Sequence, residues 1–168
     1  MSAKGVQILD AEKIDKIIKR IAHQILENFF GEKEIIMVGI DRQGFLFAER
    51  IQTEIHQLSD LNVRLFKLRF DKLNPLEEEY DFSGKMSDLE KANIVLVDDV
   101  LNSGKTLAYA LRFIMEVNVK QIFSTVLIDR FHRRYPVRAD FVGLTLSTTL
   151  QEHIAVELEG NQDAAFVN

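Results

Sequence analysis

The sequence predicts an α/β fold in which a mostly parallel central sheet is flanked by helices on both faces. Short apolar runs without polar alternation recur along the chain, and such runs are typical of strands buried on both faces. Segments with apolar residues at helical spacing separate these runs, and this alternation favours crossover connections between parallel strands. The chain has 168 residues, of which 46% are hydrophobic and 28% charged. We therefore expect a single domain over residues 1–168 with one real core.

The N-terminal half predicts two helices and two strands. Asp10 can cap a helix through its side-chain oxygen. Apolar residues follow it at helical spacing: Ile14, Ile17, Ile18, Ile21, Ile25 and Leu26. Gly31 is a plausible end for this helix. The pattern then predicts a strand, a polar turn, a second helix and a second strand at residues 35–40, 41–44, 45–57 and 63–70.

The C-terminal half begins with a long irregular segment at about residues 71–93. A segment of this length inside a compact domain is typical of a functional flap or a disordered tip. The later pattern predicts a strand, a helix and three more strands at residues 94–97, 104–117, 122–128, 141–144 and 154–158.

Two acids and a glycine-containing loop follow the third predicted strand, in the stretch Val95-Leu96-Val97-Asp98-Asp99-Val100-Leu101-Asn102-Ser103-Gly104-Lys105-Thr106. Ligands of parallel sheets bind at the carboxyl ends of the strands, and a helix start favours an anion. The hydroxyls of Ser103 and Thr106 and the amide of Gly104 could therefore surround a phosphate monoester. Asp98 and Asp99 would instead accept hydrogen bonds from hydroxyls or hold a cation. A phosphate and a polyol in one ligand describe a ribose 5-phosphate.

Two other interpretations of this stretch are weaker. A nucleotide P-loop requires a glycine five residues before Gly104, and that position is Asp99, whose charge would repel a triphosphate. Paired aspartates can also simply cap a turn and a helix. The coincidence of a buried strand, an acid pair, a Ser-Gly-Lys-Thr loop and a helix favours the ligand site.

The same stretch resembles the diphosphoribose-binding motif of type I phosphoribosyltransferases, in which four apolar residues and two acids precede a Thr/Ser-Gly-x-Thr loop. Nearly the whole chain, except the 71–93 segment and the C-terminal tail, resembles the PyrR-like subfamily of pyrimidine-operon attenuators with uracil phosphoribosyltransferase activity. This resemblance implies the type I fold with a small hood built from chain-terminal segments. The segments that carry it are Ile8-Leu9-Asp10, Arg20-Ile21-Ala22-His23, Val38-Gly39-Ile40, Asp98-Asp99-Val100-Leu101, Asp129-Arg130, His132-Arg133, Pro136-Val137-Arg138-Ala139-Asp140 and Val142-Gly143.

The resemblance also implies an activity, a cofactor and site residues. It implies transfer of phosphoribosyl from 5-phosphoribosyl diphosphate to a nucleobase, with uracil the first choice, and Mg²⁺ held mainly by the substrate. Asp98, Asp99 and Arg42 would be catalytic, with the two acids on the ribose hydroxyls and Asp98 the candidate protein ligand of Mg²⁺. The implied substrate-binding residues are Asp41, Gln43 and Gly44 in the diphosphate turn, Asn102, Ser103, Gly104, Lys105 and Thr106 on the 5-phosphate, and Arg69 and Arg130.

The resemblance also implies that the segment at about residues 71–93 is a mobile flap that closes over the reacting centre, and the chain departs from the subfamily around this flap. The subfamily's Tyr-Arg aligns with Arg69-Phe70, so the arginine has moved by one residue and faces the opposite side of an extended strand. Either Arg69 is a recruited substitute or this cationic contact is lost. The flap also carries three successive acids, at residues 77–79, which would repel diphosphate unless Lys72 and Lys85 compensate.

Partners other than the substrates are less favoured. His23, Lys19 and Arg20 resemble part of the subfamily's RNA-binding surface, but Asn28 and Leu150 replace basic residues there, and the net charge is −5. An RNA-binding regulator or a nucleotide or phosphoribose sensor with little catalysis is therefore the alternative function. The basic cluster Arg130, His132, Arg133, Arg134 and Arg138 is interpreted first as a solvated or subunit-contact patch.

Composition sets the remaining expectations. The chain has no Cys, which excludes a disulfide scaffold and thiolate chemistry. No apolar run approaches the length of a membrane span, so we expect no membrane partner and a cytoplasmic location. The Phe-rich stripes are expected to be core rather than a stacking surface. The subfamily resemblance implies a homo-oligomer.

Overall fold

The computed structural model describes residues 5–159 and 162–168. Within them the chain forms four helices and nine strands. The helices are α1 Ala11–Asn28, α2 Asp41–Leu58, α3 Met86–Leu89 and α4 Lys105–Ile114. The strands are β1 Val6–Leu9, β2 Glu34–Ile40, β3 Asn62–Arg69, β4 Asp81–Phe82, β5 Asn93–Leu101, β6 Gln121–Asp129, β7 Phe141–Thr145, β8 Ile154–Glu157 and β9 Ala164–Val167.

Six strands form the central sheet in the order β4-β3-β2-β5-β6-β7. All neighbours pair in parallel except β4, which runs antiparallel to β3 at the edge. The buried residues of α1 and α2 pack on one face, and those of α3 and α4 pack on the other. The predicted α/β fold is therefore confirmed, and β5, which carries the acid pair, lies in the middle of the sheet.

The first helix forms as its sequence predicts. Asp10 is its N-cap, and the side-chain carboxylate accepts a hydrogen bond from the N–H of Lys13 at 2.8 Å. Its buried stripe is Ile14, Ile18, Ile21, Ala22 and Ile25. The helix ends at Asn28, and Gly31 adopts a left-handed φ of 85° a few residues later.

Residues 41–44 are the first turn of α2, so the predicted polar turn is wrong. The sequence carries no local signal for this helix start, because the N-cap residue Ile40 has no side chain that can form a capping hydrogen bond. Gly44 within the first turn is also unfavourable for a helix. The tertiary structure explains Gly44. A Cβ atom there would lie 2.9 Å from the carbonyl oxygen of Val97 and 3.2 Å from Cα of Asp98. The start of α2 therefore packs directly against β5 at its acidic end.

Strand β5 is longer than predicted and includes both acids. Its pairing with β6 continues to Leu101, opposite Asp129. Asp98 and Asp99 are therefore held by a hydrogen-bonded strand rather than by a loop.

The chain-terminal segments form a second sheet of three antiparallel strands in the order β1-β9-β8. We call this sheet the hood; its position at the chain ends is as expected, although the sequence pattern did not predict β1 and β9, because each has only four residues. Arg50 of α2 connects the hood to the main body. Its guanidinium donates to Asp163 Oδ1 at 2.9 Å and to the carbonyl of Leu158 at 3.1 Å.

The flap segment, residues 71–93, is less irregular than predicted, because it contains β4 and α3. Its second half is anchored: Leu89 is buried, and Tyr80 stacks between Phe70 and Phe113 with ring centroids 4.7 and 4.9 Å away. The exposed residues are 72–74 and 76–79, on either side of the buried Pro75. The mobility of the flap stays a prediction.

Candidate phosphoribosyl site

Asp98 and Asp99 end the central strand and form the acidic part of the site. Asp98 is only 4% exposed, and its carboxylate accepts the N–H of Asp99 at 2.9 Å. Burial, together with the charge of Asp99, raises the pKa of Asp98 well above its usual range, although Lys72 opposes the shift. A bound cation or hydroxyl donors would favour the ionised form of this buried carboxyl.

The loop from Asn102 to Gly104 joins the acid pair to α4. Gly104 has a φ of 89°, and a Cβ atom there would lie 2.6 Å from Cγ2 of Val137. The carbonyl of Ser103 accepts the backbone N–H groups of Arg134 at 2.8 Å and of Tyr135 at 3.0 Å. The following segment thus holds the loop in place, and only glycine fits at its turn.

The structure brings the predicted phosphate-binding residues together at the start of α4. A small cavity of about 30 Å³ lies among Asp98, Asn102, Ser103, Gly104, Lys105 and Thr106. The Ser103 hydroxyl accepts the N–H of Lys105 at 3.3 Å. Backbone donors and hydroxyls at a helix start suit an anion.

Lys72, from the flap, reaches this site, which sequence analysis raised only as a possible compensation. Its ammonium lies 2.9 Å from Oδ2 of Asp41. Burial alone would lower the pKa of Lys72, but Asp98, Asp41 and Asp99 outweigh that effect and raise it. The next residue, Leu73, accepts a hydrogen bond from Lys105 Nζ at 3.0 Å. The base of the flap therefore contacts both α2 and the start of α4.

The residues of the predicted diphosphate turn contact two different parts of the chain. Asp41 pairs with Lys72 and has a positive φ of 53°. Arg42 instead forms an ion pair with Glu159 at 2.8 Å, and Gln43 accepts the N–H of Leu158 at 3.2 Å. Arg42 and Gln43 thus contact the end of the hood. Arg42 would have to leave Glu159 to reach a ligand.

Arg69 lies at the rim of an acidic cavity. This cavity has a volume of about 380 Å³, and its lining includes Asp41, Arg69 and Phe70. The other lining residues are Asp71, Glu78, Glu79 and Asp81, all from the flap segment. Arg69 is thus the cation among these lining residues. This position fits the prediction that Arg69 replaces the flap arginine of the subfamily.

Arg130 is 8% exposed and joins the site to the segment before the hood. Its guanidinium donates to Asn102 Oδ1 at 3.0 Å and to Thr148 Oγ1 at 2.8 Å. It also donates to the carbonyls of Thr149 at 3.1 Å and Glu152 at 2.6 Å. Each of its three nitrogens already donates to a protein oxygen, so Arg130 positions Asn102, and its direct contact with a ligand stays a prediction.

Part of the basic cluster after β6 is bound within the chain rather than free in solvent. Arg133 donates to both carboxylate oxygens of Asp129, at 2.9 and 2.6 Å. Burial would raise the pKa of Asp129, but Arg133 and the N–H of Phe131 outweigh it and lower that pKa. Phe131 itself is 68% exposed and lies outside the core. Arg134 and Arg138 are exposed.

The helix face that resembles an RNA-binding surface is also partly occupied. Arg20 donates to the carbonyls of Val142 at 3.1 Å and Gly143 at 2.7 Å, and Lys19 pairs with Asp15 at 2.8 Å. Two of its three basic groups therefore have partners within the chain.

The described residues contain neither a ready-made metal cluster nor a membrane-spanning helix. Residues 5–159 and 162–168 contain no group of three His, Cys, Asp or Glu side chains arranged to hold a metal ion. In the same part of the chain no helix combines the length and apolar character needed to cross a membrane.

Comparison with known proteins agrees with this geometry. The family model described as phosphoribosyl transferase domain matches residues 5–159. The Bifunctional protein PyrR of Macrococcus caseolyticus is 36% identical over 166 residues, covering 95% of each chain. The Bifunctional protein PyrR of Haemophilus ducreyi is 35% identical over 159 residues, covering 90% of this chain and 89% of that protein.

Solved structures show the same fold. A hypoxanthine-guanine phosphoribosyltransferase from Bacillus anthracis superposes with a TM-score of 0.73 at 22% identity, covering 90% of this chain and 86% of that one. A hypoxanthine phosphoribosyltransferase from Trypanosoma cruzi, solved with the product IMP, has a TM-score of 0.75 at 19% identity, covering 88% and 75%. The chain therefore belongs to the type I phosphoribosyltransferase family, in which it is similar to the PyrR proteins along nearly its whole length.

Proposed function

We propose that this phosphoribosyltransferase transfers the phosphoribosyl group of 5-phosphoribosyl diphosphate to a nucleobase, with uracil the first candidate. The products are the nucleoside 5′-monophosphate and diphosphate. The observation that carries the proposal is the acid pair beside an anion-binding loop at the carboxyl end of β5. The similarity of the whole chain to PyrR proteins favours a pyrimidine base. The hypoxanthine enzymes share the fold at low identity and therefore do not indicate the base.

The two ends of the donor would bind different parts of the site. Asp98 and Asp99 accept hydrogen bonds from the ribose hydroxyls. The hydroxyls of Ser103 and Thr106 and the amide of Gly104 surround the 5-phosphate. This division follows from charge, since carboxylates repel a phosphate but accept a hydrogen bond from a hydroxyl.

The acid pair also fits Mg²⁺. Burial, reinforced by the charge of Asp99, raises the pKa of Asp98, so a cation bound beside the pair would stabilise the ionised carboxylate. Two carboxylates suit an ion that usually keeps waters and substrate oxygens as its other ligands, with Asp98 the candidate protein ligand. When bound, the ion would stabilise negative charge on the diphosphate.

The chain's own residues would assist the displacement electrostatically. A ring nitrogen of the base forms the new bond to the anomeric carbon as the bond to the diphosphate oxygen breaks, and the proton that this nitrogen carried passes to the departing diphosphate. Positive charge then develops on the ribose, where Asp99 can stabilise it, and negative charge develops on the leaving group. Arg42 and Lys72 become available to that group if the donor separates them from Glu159 and Asp41. A mobile flap over residues 71–93 would exclude water.

A second candidate is a nucleotide-binding regulator or sensor with little catalysis. The observation that favours it is the negative charge on the diphosphate side, where Asp41, Asp71, Glu78 and Glu79 share one cavity. RNA binding within this candidate would depend on Arg134 and Arg138. Its weakness is the internal pairing of Lys19 and Arg20.

The test is incubation with 5-phosphoribosyl diphosphate, Mg²⁺ and a panel of bases, with the products identified by chromatography. Formation of UMP is the expected result, and Asp99→Asn should abolish it while the protein stays folded. A purine nucleotide as the main product would overturn the uracil assignment. Donor binding without turnover of any base would favour the regulator. The cytoplasmic location and the homo-oligomer stay predictions.

A further inference from the structure

Phe131 has a backbone conformation that a phenylalanine rarely adopts. Its φ is 63°, in the left-handed region, where a side chain with a Cβ atom is strained. Asp129 holds the residue there by accepting the N–H of Phe131 at 2.8 Å and by binding the guanidinium of Arg133. Strain of this kind persists only where the surroundings enforce it, and it is concentrated at functional sites.

The ring of Phe131 is exposed next to the phosphoribosyl site. The preceding residue, Arg130, donates its backbone N–H to Leu101 at 3.0 Å and its side chain to Asn102. A few residues later, the N–H of Arg134 binds the carbonyl of Ser103. The segment around Phe131 therefore adjoins the phosphate-binding loop, yet its ring is 68% exposed.

The residues on both sides of Phe131 contact the segment before the hood. Arg130 binds Thr148 and Thr149, and the ring of His132 contacts the carbonyl of Thr148. Leu150, which follows them, is also exposed. An aromatic and an aliphatic side chain thus project from adjoining segments beside a site that is otherwise polar. This is the surface expected for the flat, apolar faces of a base.

We propose that the ring of Phe131 is the stacking surface for the base, and that it thereby determines base affinity. This inference rests on the proposed function. Stacking of a base on an aromatic ring contributes about 5- to 100-fold in affinity. The contribution applies to any ligand that carries the base and is absent from the phosphoribose alone.

The variant Phe131→Gly tests this because it removes the ring while glycine adopts the same φ without strain. Calorimetric titrations with UMP and IMP measure affinity for the nucleotide, and titrations with ribose 5-phosphate provide the base-free reference. We expect Phe131→Gly to weaken binding of the preferred nucleotide by about 5- to 100-fold and to leave ribose 5-phosphate unchanged. Phe131→Tyr should restore the nucleotide affinity.

Phe30→Gly is the matched control, since that residue is 93% exposed but lies before the amino end of β2, whereas Phe131 follows the carboxyl end of β6. Unchanged nucleotide affinity in Phe131→Gly would overturn the proposal, and so would equal losses for the nucleotide and ribose 5-phosphate. A wild-type protein that binds nucleotides no better than ribose 5-phosphate also refutes it. Failure to bind ribose 5-phosphate at all would instead count against the proposed function. Loss of an oligomer in Phe131→Gly, with both affinities unchanged, would make the ring a subunit contact.

Discussion

Substituting Gly104 by Ala should destabilise the loop at residues 102–104, which is predicted to bind phosphate. The structure divides the energetic cost of this substitution into two parts. The first is the left-handed φ of 89°, which costs a residue with a Cβ atom about 1–2 kcal/mol. The second is the contact of the new Cβ atom with Val137 Cγ2 at 2.6 Å, an overpacking that costs about 1–3 kcal/mol. We expect Gly104→Ala to lower the free energy of unfolding by about 2–5 kcal/mol and Tm by roughly 4–20 °C.

Gly31→Ala separates the two parts. Gly31 has a similar φ of 85°, but a Cβ atom there would find nothing within 4 Å. Urea unfolding should therefore show a loss of only about 1–2 kcal/mol for Gly31→Ala. Val137→Ala removes the methyl group that the new Cβ atom of Gly104→Ala would meet, so the double variant should recover the difference in a double-mutant cycle.

The same variants connect the loop to ligand binding. Calorimetry should show weaker ribose 5-phosphate binding for Gly104→Ala and unchanged binding for Gly31→Ala, because only Gly104 lies in the loop. If Gly104→Ala and Gly31→Ala lose equal stability, the steric argument is wrong. If ribose 5-phosphate binds Gly104→Ala normally, the assignment of the loop fails.

Two further predictions concern the charges of the site. Because the folded state raises the pKa of Asp98, this group's contribution to stability is complete below its ordinary pKa and is lost as the pH rises through the folded pKa. In urea titrations the free energy of unfolding of Asp98→Asn should therefore rise relative to that of the wild type as the pH rises. A pH-independent difference between the two proteins would contradict this. Lys72→Met removes the ammonium beside Asp41 and should strengthen Mn²⁺ binding, followed by electron paramagnetic resonance without donor, by about two- to fivefold. Lys85→Met is the control, and equal Mn²⁺ affinity in the two variants would show that Lys72 does not compete for the acids.

The acid-pair site was predictable because its chemistry is contiguous in the sequence. Asp98, Asp99 and residues 102–106 follow one buried strand, and the carboxyl end of a parallel strand is where such loops bind ligands. The structure gathers Asp98 and residues 102–106 around one cavity, although their roles toward a ligand stay predictions.

Contacts between distant segments could not be predicted in this way. The pairing of Lys72 with Asp41 and of Arg42 with Glu159 joins residues from separate segments, and side-chain type does not specify the partner. The first turn of α2 was missed for a related reason. The close approach that Gly44 permits depends on β5, which is about 50 residues away.

The sequence by itself determined the layered α/β architecture, the capped first helix and the position of the acid-pair motif, because each depends on local periodicity or on neighbouring residues. Only the tertiary structure decided which cations stand beside those acids and which side chains remain exposed around them. Phe131 illustrates the difference. Apolar character predicts burial on average, but whether this ring is covered depends on which segments fold over it, and no local pattern encodes that arrangement.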